Sequence, residues 1–235
     1  MARKLMSLLL SLVAPVAGMA LLFTLSDIPT TQAIPLLDPP TYVSGTVTQT
    51  TTWTAVNSPY VVIGYVYVPP GITLTIESGV VVKFDTDMSL NIDGELIAQG
   101  TTGDKIYFTS LKDDSVGGDT NGDGDNTSPM PGDWDYIRVN GGQINLKHAV
   151  VRYGGPNSGS LSGNILSLGA NARLALDTVQ VNNSYGYGIK TVLGGGVLTI
   201  TNSLIQDNGG GLSIGGGVVT ITNSLVENTT WSGID

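Results

Sequence analysis

Along most of this chain apolar residues fall two apart, as in Leu174 and Leu176 or Leu198 and Ile200, between turns rich in Gly, Asn and Thr. A period of two sends alternate side chains to opposite faces of an extended strand. No stretch sustains helical periodicity, so the pattern predicts an all-β chain of short strands with almost no helix.

The strands repeat. "GGGVLTITNSLIQDNGGGLSI" from Gly194 matches "GGGVVTITNSLVENTTWSGI" from Gly215, an offset of 21 residues. "LALDTVQVNN" and "INLKHAVVRYGG" extend the template backwards. One column then holds Leu146, Leu176, Ile200 and Ile221, and a second holds Val151, Val181, Ile205 and Val226, both spaced 30, 24 and 21 apart. The long interval contains a Gly/Ser insertion at residues 154–164. A unit of this length makes about three strands but no core alone, so its apolar face requires stacking on neighbouring units. Thr178, Asn202 and Asn223 share one place in the repeat and mark a bend, since stacked Asn side chains bond along a coil and tolerate unusual backbone angles. Gly188-Ile189, Gly211-Leu212 and Gly233-Ile234 mark the next bend. In the first half, Val66 and Val68 recur 24 residues on as Leu90 and Ile92.

Carried by these columns, residues 54–235 resemble the right-handed parallel β-helix repeat family of secreted and cell-surface proteins, some of them polysaccharide lyases. The resemblance implies a single solenoid domain and says little about function. The residues themselves predict 1–33 as a signal peptide, 34–53 as a linker or N-terminal cap, and 54–235 as the coil with an acidic loop inserted at about 112–135. The chain stops within a repeat, and the expected reading is a coil truncated at its C-terminus.

The leader reading rests on Arg3 and Lys4 before an apolar run to Leu25, with small residues ahead of a cut after Ala33. Export to a bacterial or archaeal surface, or secretion, suits a chain without cysteine. Removing the leader leaves 8 basic and 18 acidic residues, 8 − 18 = −10, which excludes nucleic acid as an expected partner. A glycan or cell-surface ligand is the expected partner, with membrane contact only through the leader or an anchor, and the protein is expected to be a monomer.

Candidate chemistry concentrates in one segment. Residues 113–135 carry Asp113, Asp114, Asp119, Asp123, Asp125, Asp133 and Asp135 with no Lys or Arg. Asp119, Asn121, Asp123, Gly124 and Asp125 alternate oxygen ligands around a glycine turn, resembling the opening of a calcium loop. The match fails at loop position 12, where Met130 replaces the bidentate Glu between Pro129 and Pro131. Structural calcium is therefore the expected cofactor, with Asp113, Asp114, Asp119, Asn121, Asp123, Asp125 and Asp133 as candidate ligands. Zinc is disfavoured by the absence of Cys and the single His.

No catalytic residue is assigned. His148 alternates with Leu146 and is expected on the outer face of a strand, and Trp134 is expected to cover the base of the loop. The Asn-Thr-Asp, Gly-Asp-Asp and Gly-His-Gly set of polygalacturonases is absent, as are pectate-lyase motifs. The favoured function is a non-catalytic, calcium-stabilised surface scaffold for adhesion or carbohydrate contact. The alternative is a polysaccharide lyase or glycoside hydrolase with Arg138 or Arg152 as base and catalytic turns partly beyond residue 235.

Overall fold

The structure is a computed structural model and describes residues 39–157, 161–192, 194 and 196–235. The expected leader lies outside the described residues, and the Gly/Ser insertion is described only in part. Among the described residues no helix is long and apolar enough to cross a membrane.

Among the described residues twenty short strands form, each bounded by the turn residues that punctuate the sequence. The chain enters through β1 (Thr41–Thr46) and β2 (Thr51–Trp53). The next two coils are β3 (Tyr60–Val68), β4 (Thr73–Ile76) and β5 (Val81–Phe84), then β6 (Leu90–Ile92), β7 (Glu95–Gln99) and β8 (Ile106–Ser110). After the acidic insertion come β9 (Ile137–Asn140), β10 (Gln143–Lys147) and β11 (Ala149–Arg152), followed by β12 (Gly163–Leu168), β13 (Arg173–Asp177) and β14 (Gln180–Asn182). The last two coils are β15 (Tyr187–Thr191), β16 (Val197–Thr201) and β17 (Leu204–Gln206), then β18 (Gly210–Ile214), β19 (Val218–Thr222) and β20 (Leu225–Glu227).

Every pairing is parallel, between a strand and its counterpart one coil away, which makes the fold an all-β coil of the solenoid kind. Three faces run along it. One is β6-β9-β12-β15-β18, the second β2-β4-β7-β10-β13-β16-β19, and the third β5-β8-β11-β14-β17-β20. The long β3 joins the first and third, because Tyr60–Val62 pair with β5 while Val66–Val68 pair with β6. The segment read as linker or cap contributes β1, which pairs with β3, and β2, which pairs with β4.

The register follows the apolar columns. Ala98, Leu146, Leu176, Ile200 and Ile221 pair in series on the second face, and Phe108, Val151, Val181, Ile205 and Val226 on the third. Leu90, Ile137, Ile165, Ile189 and Leu212 do so on the first. These side chains fill the coil interior and are at most 2% exposed up to Leu212 and Ile205, whereas Ile221, in the last described coil, is 37% exposed. Stacking strands at about 4.8 Å satisfies the backbone groups between coils and buries the columns together.

Two corners turn the chain left-handed. The first holds His148, Thr178, Asn202 and Asn223 at φ of 44°, 57°, 51° and 48°. The second, five residues on, holds Tyr153, Asn183, Asp207 and Asn228 at 67°, 52°, 55° and 50°. His148 thus sits at a corner between β10 and β11, and not on a strand face as its alternation with Leu146 suggested. The left-handed region suits Asn and Asp far better than β-branched Thr. Buried asparagines brace the second corner from inside: Asn164 accepts from the Gly154 amide and donates to the Asn182 carbonyl, and Asn208 accepts from Ser184 and donates to Val181. Gly188 admits the Asn208 amide, which would lie 2.8 Å from any Cβ there.

Candidate functional site

The acidic insertion leaves the coil after Ser110 and rejoins it at Ile137. It folds back over the outside of β5, which is why all four residues "VVKF" are buried although a two-faced strand would alternate. Lys83 is fully buried beneath it, its ammonium donating to the Gly118 carbonyl. Burial pulls the Lys83 pKa down, while Asp114, Asp113 and Asp119 oppose that shift.

At the re-entry, Trp134 is fully buried and stacked on Phe84, with ring centroids 4.2 Å apart, and its indole donates to the Arg152 carbonyl at 2.9 Å. The aromatic pair closes the base of the loop against the coil.

The seven acids have different surroundings. Asp113 is 2% exposed and accepts from Arg152 Nε at 2.8 Å, from Ser115 and from Thr109. Asp133 accepts from Lys112 Nζ and Ser110 Oγ, at 2.8 and 2.7 Å, and from the Met130 amide. These two carboxylates are committed to protein cations at the loop base. Lys83, Lys112 and Arg152, all outside the segment, offset three of its seven charges, 7 − 3 = 4, so its own lack of cations overstated the repulsion.

Asp114, Asp119 and Asp123 form a separate group. One carboxylate oxygen from each lies within 4.8 Å of the others. Asp119 also orders the turn by accepting from the amides of Gly122, Asp123 and Gly124. Gly122 and Gly124 have φ of 71° and 64°, a conformation that costs glycine little. Asn121 donates its amide to Asp123 and Thr127. Asp114 Oδ1, Asn121 Oδ1 and Asp123 Oδ1 are buried without a hydrogen-bond partner among the described residues. Burial raises the Asp114 pKa, with Asp119, Asp123 and Asp113 adding to the rise and Lys83 opposing it.

Buried acceptor oxygens without donors are costly unless something satisfies them. An all-oxygen group of this kind fits a hard cation such as calcium, which takes carboxylate and amide oxygens. Asp114, Asp119, Asp123 and the Asn121 carbonyl would hold it. Asp125 lies exposed on the turn, and Met130 is 65% exposed with no hard oxygen in its side chain.

Near the loop base Asp135 has its pKa raised to about 6, by burial and then by the charge of Asp87. Arg138 and Arg152 belong to different faces, on β9 and β11. Arg152 is bound to Asp113, while Arg138 lies against the Tyr136 ring with Nε buried and without a hydrogen-bond partner among the described residues. Sequence reasoning missed Lys83 and gave Asp135, one of the seven acids, no role of its own, because neither stands in a motif and both acquire their character from chain segments folded over them. Compared with known proteins, the chain matches no family, no curated protein and no solved structure.

Proposed function

We propose that this is an exported, right-handed parallel β-helix scaffold of the secreted and cell-surface kind, non-catalytic, which presents loops for adhesion or glycan contact. Calcium held by Asp114, Asp119, Asp123 and Asn121 orders the acidic insertion. The observation that carries the metal reading is the set of three buried acceptor oxygens without donors on Asp114, Asn121 and Asp123. Export rests on the basic start and apolar run of residues 1–33. The net charge of −9 argues against nucleic acid and favours neutral or cationic partners.

The test is calorimetric titration of the full chain with calcium, beside a variant carrying Asp114→Asn, Asp119→Asn and Asp123→Asn. Binding in the parent and loss in the variant is the expected result. A folded parent that binds no calcium reduces the loop to a solvated turn. Adhesion is tested separately by binding of the labelled chain to intact cells and immobilised glycans.

One observation favours a second reading. A carboxyl group titrating near 6, as at Asp135, is suited to a general acid at neutral pH. On that reading the chain cleaves polysaccharide, and turnover lost in Asp135→Asn with the fold intact would replace the scaffold reading.

A further inference from the structure

Resting on the glycan-contact reading, we propose that the recess between Tyr185 and Trp231 is a binding site for a neutral pyranose unit. The recess has a volume of about 350 Å³ and lies at the second corner, where Ser184, Asp207, Gly209 and Thr230 also line it. Its walls belong to successive coils: the Gly209 amide donates to the Ser184 carbonyl, and the Trp231 amide to the Gly209 carbonyl. The two aromatic positions therefore stand about 10 Å apart along the coil, twice the strand spacing, with a glycine between them.

That glycine lets the neighbouring coil and the Trp231 ring come close to the floor. A Cβ at Gly209 would lie 2.3 Å from the Tyr185 carbonyl oxygen and 3.1 Å from Trp231 Cη2. Tyr185 and Trp231 are 46% and 58% exposed, so their rings are not consumed by the core. Trp231 is nevertheless held in place edge-on against Tyr187, at 5.9 Å and 72°. Polar groups converge on the same recess. Asp207 and Thr230 are exposed at the rim, while Ser184, 2% exposed, turns its hydroxyl toward Gly155.

Flat apolar walls with a few converging hydroxyl and carboxylate groups suit a ring that has an apolar face and a hydroxylated edge. The Asp207 carboxylate and the net charge of −9 oppose a uronic acid or a phosphate. An apolar peptide would leave the polar lining unpaired.

The test uses the full chain. Trp53 and Trp134 are 5% and 0% exposed, so acrylamide quenching of tryptophan emission reads Trp231. The probes are chitohexaose and cellohexaose, with polygalacturonate and choline as contrasting ligands. A neutral oligosaccharide is expected to protect Trp231 from quenching. By calorimetry, Trp231→Ala and Tyr185→Ala are each expected to weaken that binding at least tenfold, and Tyr185→Phe to preserve it. Undiminished oligosaccharide binding in folded Trp231→Ala would place glycan contact elsewhere and overturn the site while leaving the adhesion reading standing. Binding of choline or polygalacturonate alone would overturn it too, as would no binding of either neutral probe. If cells and immobilised glycans are also not bound, the adhesion reading falls with it.

Discussion

Arg152 Nη2 lies 2.6 Å from Asp113 Oδ2, joining the third strand of one coil to the first turn of the acidic insertion. The Arg152 side chain is 18% exposed and that of Asp113 2%, so the pair is largely out of water. Arg152 also donates to Ser115 at 2.7 Å, and its guanidinium lies over the Tyr107 and Tyr153 rings. One residue thereby anchors the start of the insertion.

Removing one partner of such a pair leaves the other charge buried and uncompensated. Arg152→Gln is expected to destabilise by about 3–5 kcal/mol. Adding Asp113→Asn to that variant is expected to restore a large part of the loss, since no buried charge then remains. Urea unfolding of both variants and the double mutant measures the coupling. Additive losses would mean that the pair does not hold the insertion.

The stacked column predicts a gradient in core sensitivity. Ile200 is fully buried between Leu176 and Ile221, and Ile200→Ala is expected to cost about 2–5 kcal/mol. Ile221→Ala, at a position already 37% exposed, is expected to cost less than half as much. A loss below about 0.5 kcal/mol at Ile200, the surface scale, would refute the register.

At the first corner Thr178 is held at φ 57°, where the coils after it use Asn202 and Asn223. A β-branched side chain is strained in this region. Thr178→Asn is expected to raise stability by about 1 kcal/mol, and thermal unfolding checks it. The new amide would extend the contact by which Asn223 approaches Asn202 at 3.5 Å.

Asp135 gives a pH dependence with a definite sign. Its folded pKa of about 6 exceeds the ordinary 3.8, so the folded state binds the proton more tightly than the unfolded chain. The resulting stabilisation is fully present below 3.8 and is lost as pH rises to about 6. With the group half-buried, the loss amounts to about 1–2 kcal/mol after solvent screening. Asp135→Asn is expected to flatten this dependence, gaining stability above pH 6 and none near pH 3.5. Equal pH profiles for parent and variant would remove Asp135 as the source.

The columns through Leu146, Leu176 and Ile200 were legible because a stacked coil places equivalent residues of successive repeats in the same environment, so the sequence repeats with the structure. The first corner was legible through Asn202 and Asn223, which match by identity. The second was less so, since its two asparagines, Asn183 and Asn228, are separated by Asp207 and preceded by Tyr153. His148 misled because a corner residue still alternates with the strand before it. The acidic insertion has no repeat to compare with, and its composition announced negative charge without saying how the charge is shared. Only the tertiary structure brings Lys83 beneath it and divides Asp113 and Asp133, paired with cations, from Asp114, Asp119 and Asp123, held together. That division depends on contacts between strands far apart in the chain. Local pattern fixes which face a residue occupies along a coil, whereas the partner across an insertion is decided by how the loop folds back onto it.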